Sequence, residues 1–319
     1  MDVPLSAFLS PVELTLAFGD GEKILASFFL NARSPLTARE YRLAAQEFLR
    51  FLGAEVSGPA ELQRHHIVFY RKWLEGKGLA NKTIQKKLAA ISSLCKFLAE
   101  AGLVEKDIAY GVARPRTENR RETADISDEN VRKIFAALNP KSYTYASHLA
   151  ILAVGFFTGL RSSEIRTLRI KDLGTVNGIK IFHLKIKGDK VHEIPLHPFA
   201  ISALDEHLND LLARGFKLDE AGHVLFPSLK TRENRPMSAE ALDYILKSAM
   251  DRAGIERSPF RRYSPHSMRA TFAGHLLNTV EARLEDVQAV LGHQNPSTTQ
   301  RYNKRKKGHE KSPVFRIEF

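Results

Sequence analysis

The sequence predicts a mainly α-helical protein with a small β-hairpin, divided into two domains. Apolar residues recur at helical spacing through most of the 319 residues, and this length exceeds what one compact core usually supports. The stretch 182–196 instead alternates apolar and polar residues around a Gly-Asp turn, which is typical of a β-hairpin. A formal net charge of +12 favours a polyanionic partner, and charge alone does not separate DNA from RNA or an anionic membrane.

The N-terminal domain is predicted to span 22–111, after an irregular extension at 1–21. Its first well-marked helix follows the word "SPLTARE". Thr37 is the expected cap of this helix, and Glu40 would complete a capping box. Gly53 is expected to end the helix, because glycine adopts the left-handed backbone found beyond many helix ends.

Two more helices, at 62–78 and 81–102, complete the predicted N-terminal domain. Asn81 is the expected cap of the second. Cys95, the single cysteine, lies on the apolar stripe of that helix, so we expect a buried, inert thiol and no disulfide. The polar face of the same helix is either solvated surface or a face that follows DNA phosphates, and its candidate DNA contacts are Lys82, Lys86 and Lys87.

An arginine-rich linker at 112–124 is predicted to join the two domains, because this stretch has no helical stripe. The linker is either a disordered hinge or a segment that lies along a nucleic-acid backbone. Together with a basic loop of the second domain, it supplies the remaining candidate DNA contacts, which are Arg114, Arg116, Arg120, Arg121, Arg257, Arg261 and Arg262.

The second domain, 125–319, contains the apolar run "LAILAVGFF" at 149–157, directly followed by "TGLRSSEI". Gly159 is expected to end the apolar helix, so Arg161 lies at the start of a new helix, beside one apolar enough to be buried. Free backbone N–H groups at a helix start attract an anion, and a charge in such a place needs a partner. The partner of Arg161 is either an external anion or Glu164, and the sequence favours neither.

Two later helix starts carry further candidates for phosphate chemistry. In "YSPHSMRATF", Ser264 caps a helix that places His266 and Arg269 three residues apart on one face. In "LGHQNPSTTQRYNKRKK", His293 lies in a turn and the next helix brings Tyr302 round within two turns. The chain ends in a tail, 303–319, whose apolar "VFRIEF" packs either on a neighbouring protomer or back on its own domain.

The words "TGLRSSEI", "HSMR" and "LGHQNPSTTQRY", in this order, resemble the motifs of the tyrosine recombinase (phage-integrase) family. The first half is similar to the helical core-binding domain of Xer-type recombinases and simple integrases. The resemblance thus implies a helical core-binding domain followed by an α+β catalytic domain. It covers nearly the whole chain, and its motifs are specific in combination because order, spacing and flanking words agree.

The resemblance assigns roles to five of these residues. Arg161 and Arg269 would clamp the scissile phosphate, while His266 and His293 would hydrogen-bond it and assist proton movement. Tyr302 would be the nucleophile that forms a 3′-phosphotyrosyl link, which conserves the phosphodiester energy so that rejoining needs no ATP. Because bidentate arginines can stabilise the growing charge themselves, no metal and no cofactor are expected.

Two supporting positions also follow from the resemblance. Lys187 matches the lysine that protonates the leaving 5′-hydroxyl, with Lys185 and Lys190 as rivals for that role. Glu164 matches an acidic position that orients the site. The chain departs from the common pattern at Ala270, where many members have a histidine after the second arginine, and this puts one supporting hydrogen bond in doubt.

The predicted function is therefore site-specific recombination between two DNA sites. Family analogy implies four protomers on double-stranded DNA, and an accessory recombination protein is a further candidate partner. A cytoplasmic, nucleoid-associated location is expected from the single cysteine and from an N-terminus that lacks the basic region of a signal peptide. No membrane partner is expected, since no apolar stretch approaches the roughly 20 residues of a bilayer span. Two rivals stay open: a type IB topoisomerase, which relaxes supercoils as a monomer, and a DNA-binding relative that has lost the reaction.

Overall fold

The computed structural model describes residues 21–32, 34–56, 58–116, 124–186, 190–218, 222–256, 262–293 and 295–303. The chain divides into two compact units, Met1–Arg120 and Arg121–Phe319. The bounds assigned above to the linker and the extension stay predictions. Among the described helices, none is long and apolar enough to cross a membrane.

Several predicted features lie outside the described residues. They comprise the N-terminal extension up to residue 20, the tail from residue 304 onward, the predicted general acid and four of the candidate DNA contacts. The individual residues are Lys187, Arg120, Arg121, Arg257 and Arg261.

The described part of the first unit is built from four α-helices around one apolar core. They are α1 (Gly21–Leu30), α2 (Pro35–Leu52), α3 (Arg64–Gly76) and α4 (Asn81–Glu100). Ser34, and not the predicted Thr37, caps α2, because its Oγ accepts from the Thr37 N–H at 3.1 Å. Pro35 explains the shift, since proline suits the first helical position and the cap must then precede it. Gly53 ends this helix as predicted, with φ 55°.

The longest helix of this unit, α4, carries the predicted apolar stripe. Ile84, Leu88, Ile91 and Cys95 are all buried in the core of the unit. Burial raises the pKa of the Cys95 thiol to about 12, which agrees with the predicted inert cysteine. The predicted cap, Asn81, is wrong: it is the first helical residue, and its side-chain amide instead donates to a backbone carbonyl of the linker.

The described part of the second unit contains eight α-helices, one of which is buried at its centre. They are α5 (Asp128–Ala136), α6 (Tyr145–Thr158), α7 (Ser162–Thr167), α8 (Pro198–Ala213), α9 (Ala239–Arg252), α10 (Pro265–Asn278), α11 (Leu284–Leu291) and α12 (Pro296–Gln300). The central helix is α6, which packs against α8 and α10. Gly155 permits the close approach of α10, because a Cβ at that position would overlap the sulfur of Met268.

The sheet is antiparallel, with the order β1 (Leu173–Val176), β2 (Ile179–Ile186) and β3 (Lys190–Pro195). The predicted hairpin corresponds to β2 and β3, so the predicted fold class, mainly helical with a small sheet, is confirmed. The strand β1 was not predicted. Asn177 and Gly178, with φ of 49° and 78°, form the two-residue turn that joins it to β2.

A small separate core brings the C-terminal helices together. Leu277 of α10 packs with Val287 and Leu291 of α11, and Tyr302 packs against this cluster from just beyond α12. The cluster therefore fixes the predicted nucleophile relative to the helix that carries His266 and Arg269.

Candidate active site

Arg269 is the centre of the site and is buried, with 2% of its surface exposed. Its Nη1 donates to the Gly159 carbonyl at 2.7 Å, and its Nη2 donates to the Leu291 carbonyl at 2.8 Å. These carbonyls lie at the C-terminal ends of α6 and α11, where helix dipoles concentrate partial negative charge. Gly159 ends α6 with φ 63°, as predicted. Two helix ends thus hold one guanidinium inside the protein.

The other hydrogen of Arg269 Nη2 is donated to His293, whose Nε2 lies 2.7 Å from Nη2. A guanidinium can only donate, so Nε2 must be the unprotonated, accepting nitrogen of a neutral imidazole. The ring proton is then on Nδ1, which donates to Thr299 Oγ1 at 2.8 Å. Burial lowers the pKa of His293 to about 4, with further lowering by Arg269 and Arg161, so the ring is neutral near pH 7.

Tyr302 lies against both histidines. Its Oη is 3.4 Å from His266 Nε2, and its ring stacks on that of His293 with centroids 6.4 Å apart. Asn278 of α10 donates to the Tyr302 carbonyl at 3.1 Å and so fixes the backbone of the tyrosine. Burial, followed by Arg269 and Arg161, lowers the pKa of His266, which favours a neutral imidazole able to accept a proton.

Arg161 lies at the rim of the same pocket. The Glu164 carboxylate accepts from the Arg161 guanidinium at 2.7 Å and from its backbone N–H at 2.7 Å. The predicted pairing with Glu164 is therefore present. The Arg161 side chain is still 42% exposed, so the pairing does not remove it from solvent.

The pocket is electropositive. Burial and then Arg161 lower the pKa of Arg269 to about 10, whereas Glu164 and Tyr302 raise it. Two neighbouring guanidiniums create a site for an anion, and their planar donor forks match phosphate oxygens. Within the described residues, no group of three His, Cys, Asp or Glu side chains is arranged to hold a metal ion.

Comparison with known proteins assigns this arrangement to a family. The model of the phage integrase family matches residues 125–309, and the model of its N-terminal SAM-like domain matches residues 28–102. The first match alone covers more than half of the chain. The chain belongs to the phage integrase family. It is a tyrosine-type site-specific recombinase, as the motifs predicted.

Curated relatives support the same assignment. The tyrosine recombinase XerC of Bacillus pumilus (strain SAFR-032) is 31% identical over 274 residues, which cover 84% of this chain and 86% of the relative. XerC of Pelobacter propionicus (strain DSM 2379 / NBRC 103807 / OttBd1) is 30% identical over 271 residues, 84% of each chain.

Two solved structures share the fold. A post-cleavage complex of the XerH site-specific recombinase with its palindromic difH substrate superposes with a TM-score of 0.69 at 21% identity, covering 88% of this chain and 80% of that chain. A lambda integrase dimer bound to a COC′ core site superposes with a TM-score of 0.65 at 16% identity, covering 96% and 79%.

The recombinase brings together six of the seven residues named for its active site, and the seventh, Lys187, lies outside the described residues. Lys185, one of the rival lysines, lies exposed on β2. Ala270 is buried at 2% exposure, so the position of the common histidine is occupied by a core methyl group. The unpredicted members of the site are Thr299 and the carbonyls of Gly159 and Leu291. The sequence did contain a signal for Thr299, because a threonine three residues before Tyr302 lies one helical turn from it.

The candidate DNA contacts of the first unit lie on α4, and two of them are ion-paired. Lys86 Nζ is 2.7 Å from the Glu40 carboxylate, and Lys87 pairs with Glu47. Lys82 is exposed. The assignment of all three to DNA stays a prediction.

The linker arginines within the described residues lie close to α4. Arg114 donates to Ser92 Oγ at 3.1 Å, and the Arg116 carbonyl accepts from Asn81 at 2.7 Å. Arg262, in the second unit, is exposed. The beginning of the linker is thus held on the first unit by hydrogen bonds.

Proposed function

We propose that this recombinase cuts and rejoins duplex DNA through a covalent 3′-phosphotyrosyl intermediate on Tyr302, without metal or ATP. It exchanges strands between two DNA sites. The observation that carries the proposal is the pocket in which Tyr302 Oη lies 3.4 Å from His266 Nε2. The same pocket holds Arg269, buried against two helix ends, with Arg161 at its rim.

Arg161 and Arg269 bind the nonbridging oxygens of the scissile phosphate. Attack by an oxygen nucleophile increases the negative charge on these oxygens, and fixed guanidinium donors stabilise that charge most where water is excluded. Arg269 is the fixed member of the pair. Arg161, held by one carboxylate and partly exposed, is able to turn from Glu164 to the phosphate.

Tyr302 Oη attacks phosphorus and forms the new P–O bond, while the bond to the 5′-oxygen breaks. The phenolic proton passes to His266, whose Nε2 is the facing nitrogen and whose lowered pKa keeps it unprotonated near pH 7. Lys187 is proposed to donate the proton that the leaving 5′-oxygen takes. Rejoining reverses these transfers, so no external energy source enters.

Double-stranded DNA is the proposed partner, in agreement with the net charge of +12 and with the DNA complexes of XerH and lambda integrase. We place the enzyme in the cytoplasm, at the nucleoid, as four protomers on two sites. An accessory recombination protein stays a candidate second partner.

The test is to map covalent protein–DNA adducts across the host replicon, comparing the parent with Tyr302→Phe. We expect adducts at a small set of sites in the parent and their loss in the variant, which keeps the ring but lacks the nucleophilic oxygen. Adducts that persist in Tyr302→Phe would overturn the assignment of the nucleophile. Supercoil relaxation without site preference would favour the type IB topoisomerase, and DNA binding without adducts would favour the non-catalytic relative.

A further inference from the structure

Thr299 is a completely enclosed polar residue near the nucleophile. It is fully buried, at 0% exposure, on the short helix α12 that ends two residues before Tyr302. Its hydroxyl is 2.8 Å from His293 Nδ1. A buried hydroxyl needs a partner, and this one has the imidazole of an active-site residue.

The contacts on the two ring nitrogens of His293 define one tautomer. Arg269 Nη2, which can only donate, is 2.7 Å from Nε2, so the proton of the neutral ring is on Nδ1. The other tautomer would place an Nε2–H against the Arg269 N–H. Arg269 therefore sets the tautomer, and the Thr299 hydroxyl is the group that accepts the Nδ1 proton which this tautomer presents.

We propose that Thr299 is a positioning residue that accepts the Nδ1 proton of His293 and so holds the ring with its Nε2 lone pair directed at Arg269. This inference deepens the proposed function and rests on it. Thr299 does not touch the reacting phosphate. It acts through His293, which accepts one hydrogen bond from the Arg269 guanidinium. That bond orients the guanidinium donors that bind the phosphate.

The placement of Thr299 also links the nucleophile to this arrangement. Thr299 and Tyr302 are three residues apart, and the Tyr302 N–H donates to the Thr299 carbonyl at 3.0 Å. A shift of α12 that breaks the bond to His293 therefore moves the tyrosine as well. The stacking of the Tyr302 and His293 rings, at an interplanar angle of 15°, depends on the same placement.

The first test compares Thr299→Val, Thr299→Ser and Thr298→Val in the full chain. Valine keeps the shape of threonine and removes the hydroxyl, serine keeps the hydroxyl, and Thr298→Val makes the same change one residue earlier, at a partly buried position. The measurement is single-turnover cleavage of a nicked suicide substrate that carries a mapped site. We expect Thr299→Val to slow cleavage about tenfold or more, the rate equivalent of one hydrogen bond, with both other variants near the parent rate.

The second test examines the His293 ring itself and does not depend on activity. The full chain is labelled with ¹⁵N at its histidine rings, and the His293 signals are assigned by their loss in His293→Asn. We expect a protonated Nδ1 and an unprotonated Nε2 in the parent and in Thr299→Ser, with an Nδ1 proton that exchanges slowly with solvent because it is hydrogen-bonded. In Thr299→Val this proton has lost its acceptor, so we expect its exchange to become about tenfold faster or more.

The outcomes distinguish the proposed function from the role of Thr299. A parent protein that cleaves no DNA site overturns the proposed function, whatever the tautomer. A parent that cleaves but carries its proton on Nε2 overturns the role of Thr299, as does a Thr299→Val variant with the parental rate and parental exchange of the Nδ1 proton. If Thr299→Val does not fold, the tautomer of the parent and the rate of Thr299→Ser still decide.

Discussion

Arg161 and Arg269 carry the same guanidinium in one pocket, but the protein holds them in opposite ways. Arg269 is buried, and backbone carbonyls at the ends of α6 and α11 accept its hydrogens. Arg161 is 42% exposed and is held by a single carboxylate three residues away. One arginine is fastened by the main chain, the other by a side chain.

These different contacts indicate that the two arginines have different roles in the enzyme. Backbone carbonyls at helix ends cannot move unless the helices move, so Arg269 is part of the fold as well as of the site. A carboxylate on a neighbouring turn can release its partner at little cost, because a partly exposed ion pair contributes little free energy. Arg269 therefore fixes where the phosphate binds, and Arg161 is able to move onto it.

Replacing each arginine by alanine should show most clearly how much each contributes to stability. Arg269→Ala leaves two buried carbonyls unpaired, so we expect the free energy of unfolding to fall by about 2–5 kcal/mol. Arg161→Ala should lower it by less than about 1 kcal/mol. Urea unfolding of both variants measures the difference, and single-turnover cleavage should be lost in both.

Arg269→Lys is the control for charge, because lysine keeps the positive charge but not the planar fork. We expect this variant to be destabilised nearly as much as Arg269→Ala. Equal stability of the two alanine variants would contradict the idea that Arg269 is part of the fold.

Gly159→Ala tests the main-chain anchor of Arg269. At φ 63°, an added Cβ would overlap the Phe272 ring and lie 2.9 Å from Leu291. We expect unfolding to become easier by roughly 2–4 kcal/mol, from backbone strain and overpacking together. The matched control is Gly215→Ala, which has a φ of 79° but open space around the Cβ and should cost about 1 kcal/mol. Similar melting temperatures for both variants would rule out the close packing at Gly159.

Acid should destabilise the protein through His293, whose pKa both arginines lower. The unfolded chain binds this proton with the ordinary pKa of 6.5, and the folded chain with a pKa of about 4. Stability is therefore intact above pH 6.5 and is lost as the pH falls towards 4, by roughly 3 kcal/mol at most. Urea unfolding across this range measures the slope.

His293→Asn should flatten that slope without abolishing it, since burial also lowers the pKa of His207 in the core. Arg161→Ala should flatten it only in part, because Arg161 comes after burial and Arg269 among the causes of the His293 shift. A slope identical in the parent and His293→Asn would place the titration elsewhere.

Local chemistry made part of the fold predictable. Glycines that end helices and the alternating hairpin could be identified from neighbouring residues alone, as at Gly53 and Gly159. The caps at Thr37 and Asn81 were wrong because a proline or a tertiary contact changed the local choice. The strand β1 was missed although Asn177-Gly178 is a strong turn signal, because a strand of four residues shows too little alternation to be recognised.

The site was predictable in its residues but not in its contacts. The motif words contained Arg161, His266 and the other members of the pocket, yet no local pattern states that two helix ends converge on Arg269. The ion pairs of Lys86 and Lys87 also escaped prediction, because their partners on α2 lie 46 and 40 residues away in the sequence. Such contacts depend on how helices pack, and one sequence does not fix that packing by periodicity.

Glu164→Gln should have the smallest effect on stability and gives the finest test of the comparison. The amide can still accept from the Arg161 backbone N–H, so the variant removes mainly the charge that holds the guanidinium. We expect the free energy of unfolding to change by less than about 1 kcal/mol, as in Glu233→Gln, which breaks a surface pair with Arg235. Cleavage should nevertheless slow by roughly tenfold in Glu164→Gln only, because Arg161 is then no longer held at the rim of the pocket, from where it turns to the phosphate. Parental cleavage by Glu164→Gln would mean that the phosphate alone positions Arg161, and that its side-chain anchor serves the DNA-free enzyme only.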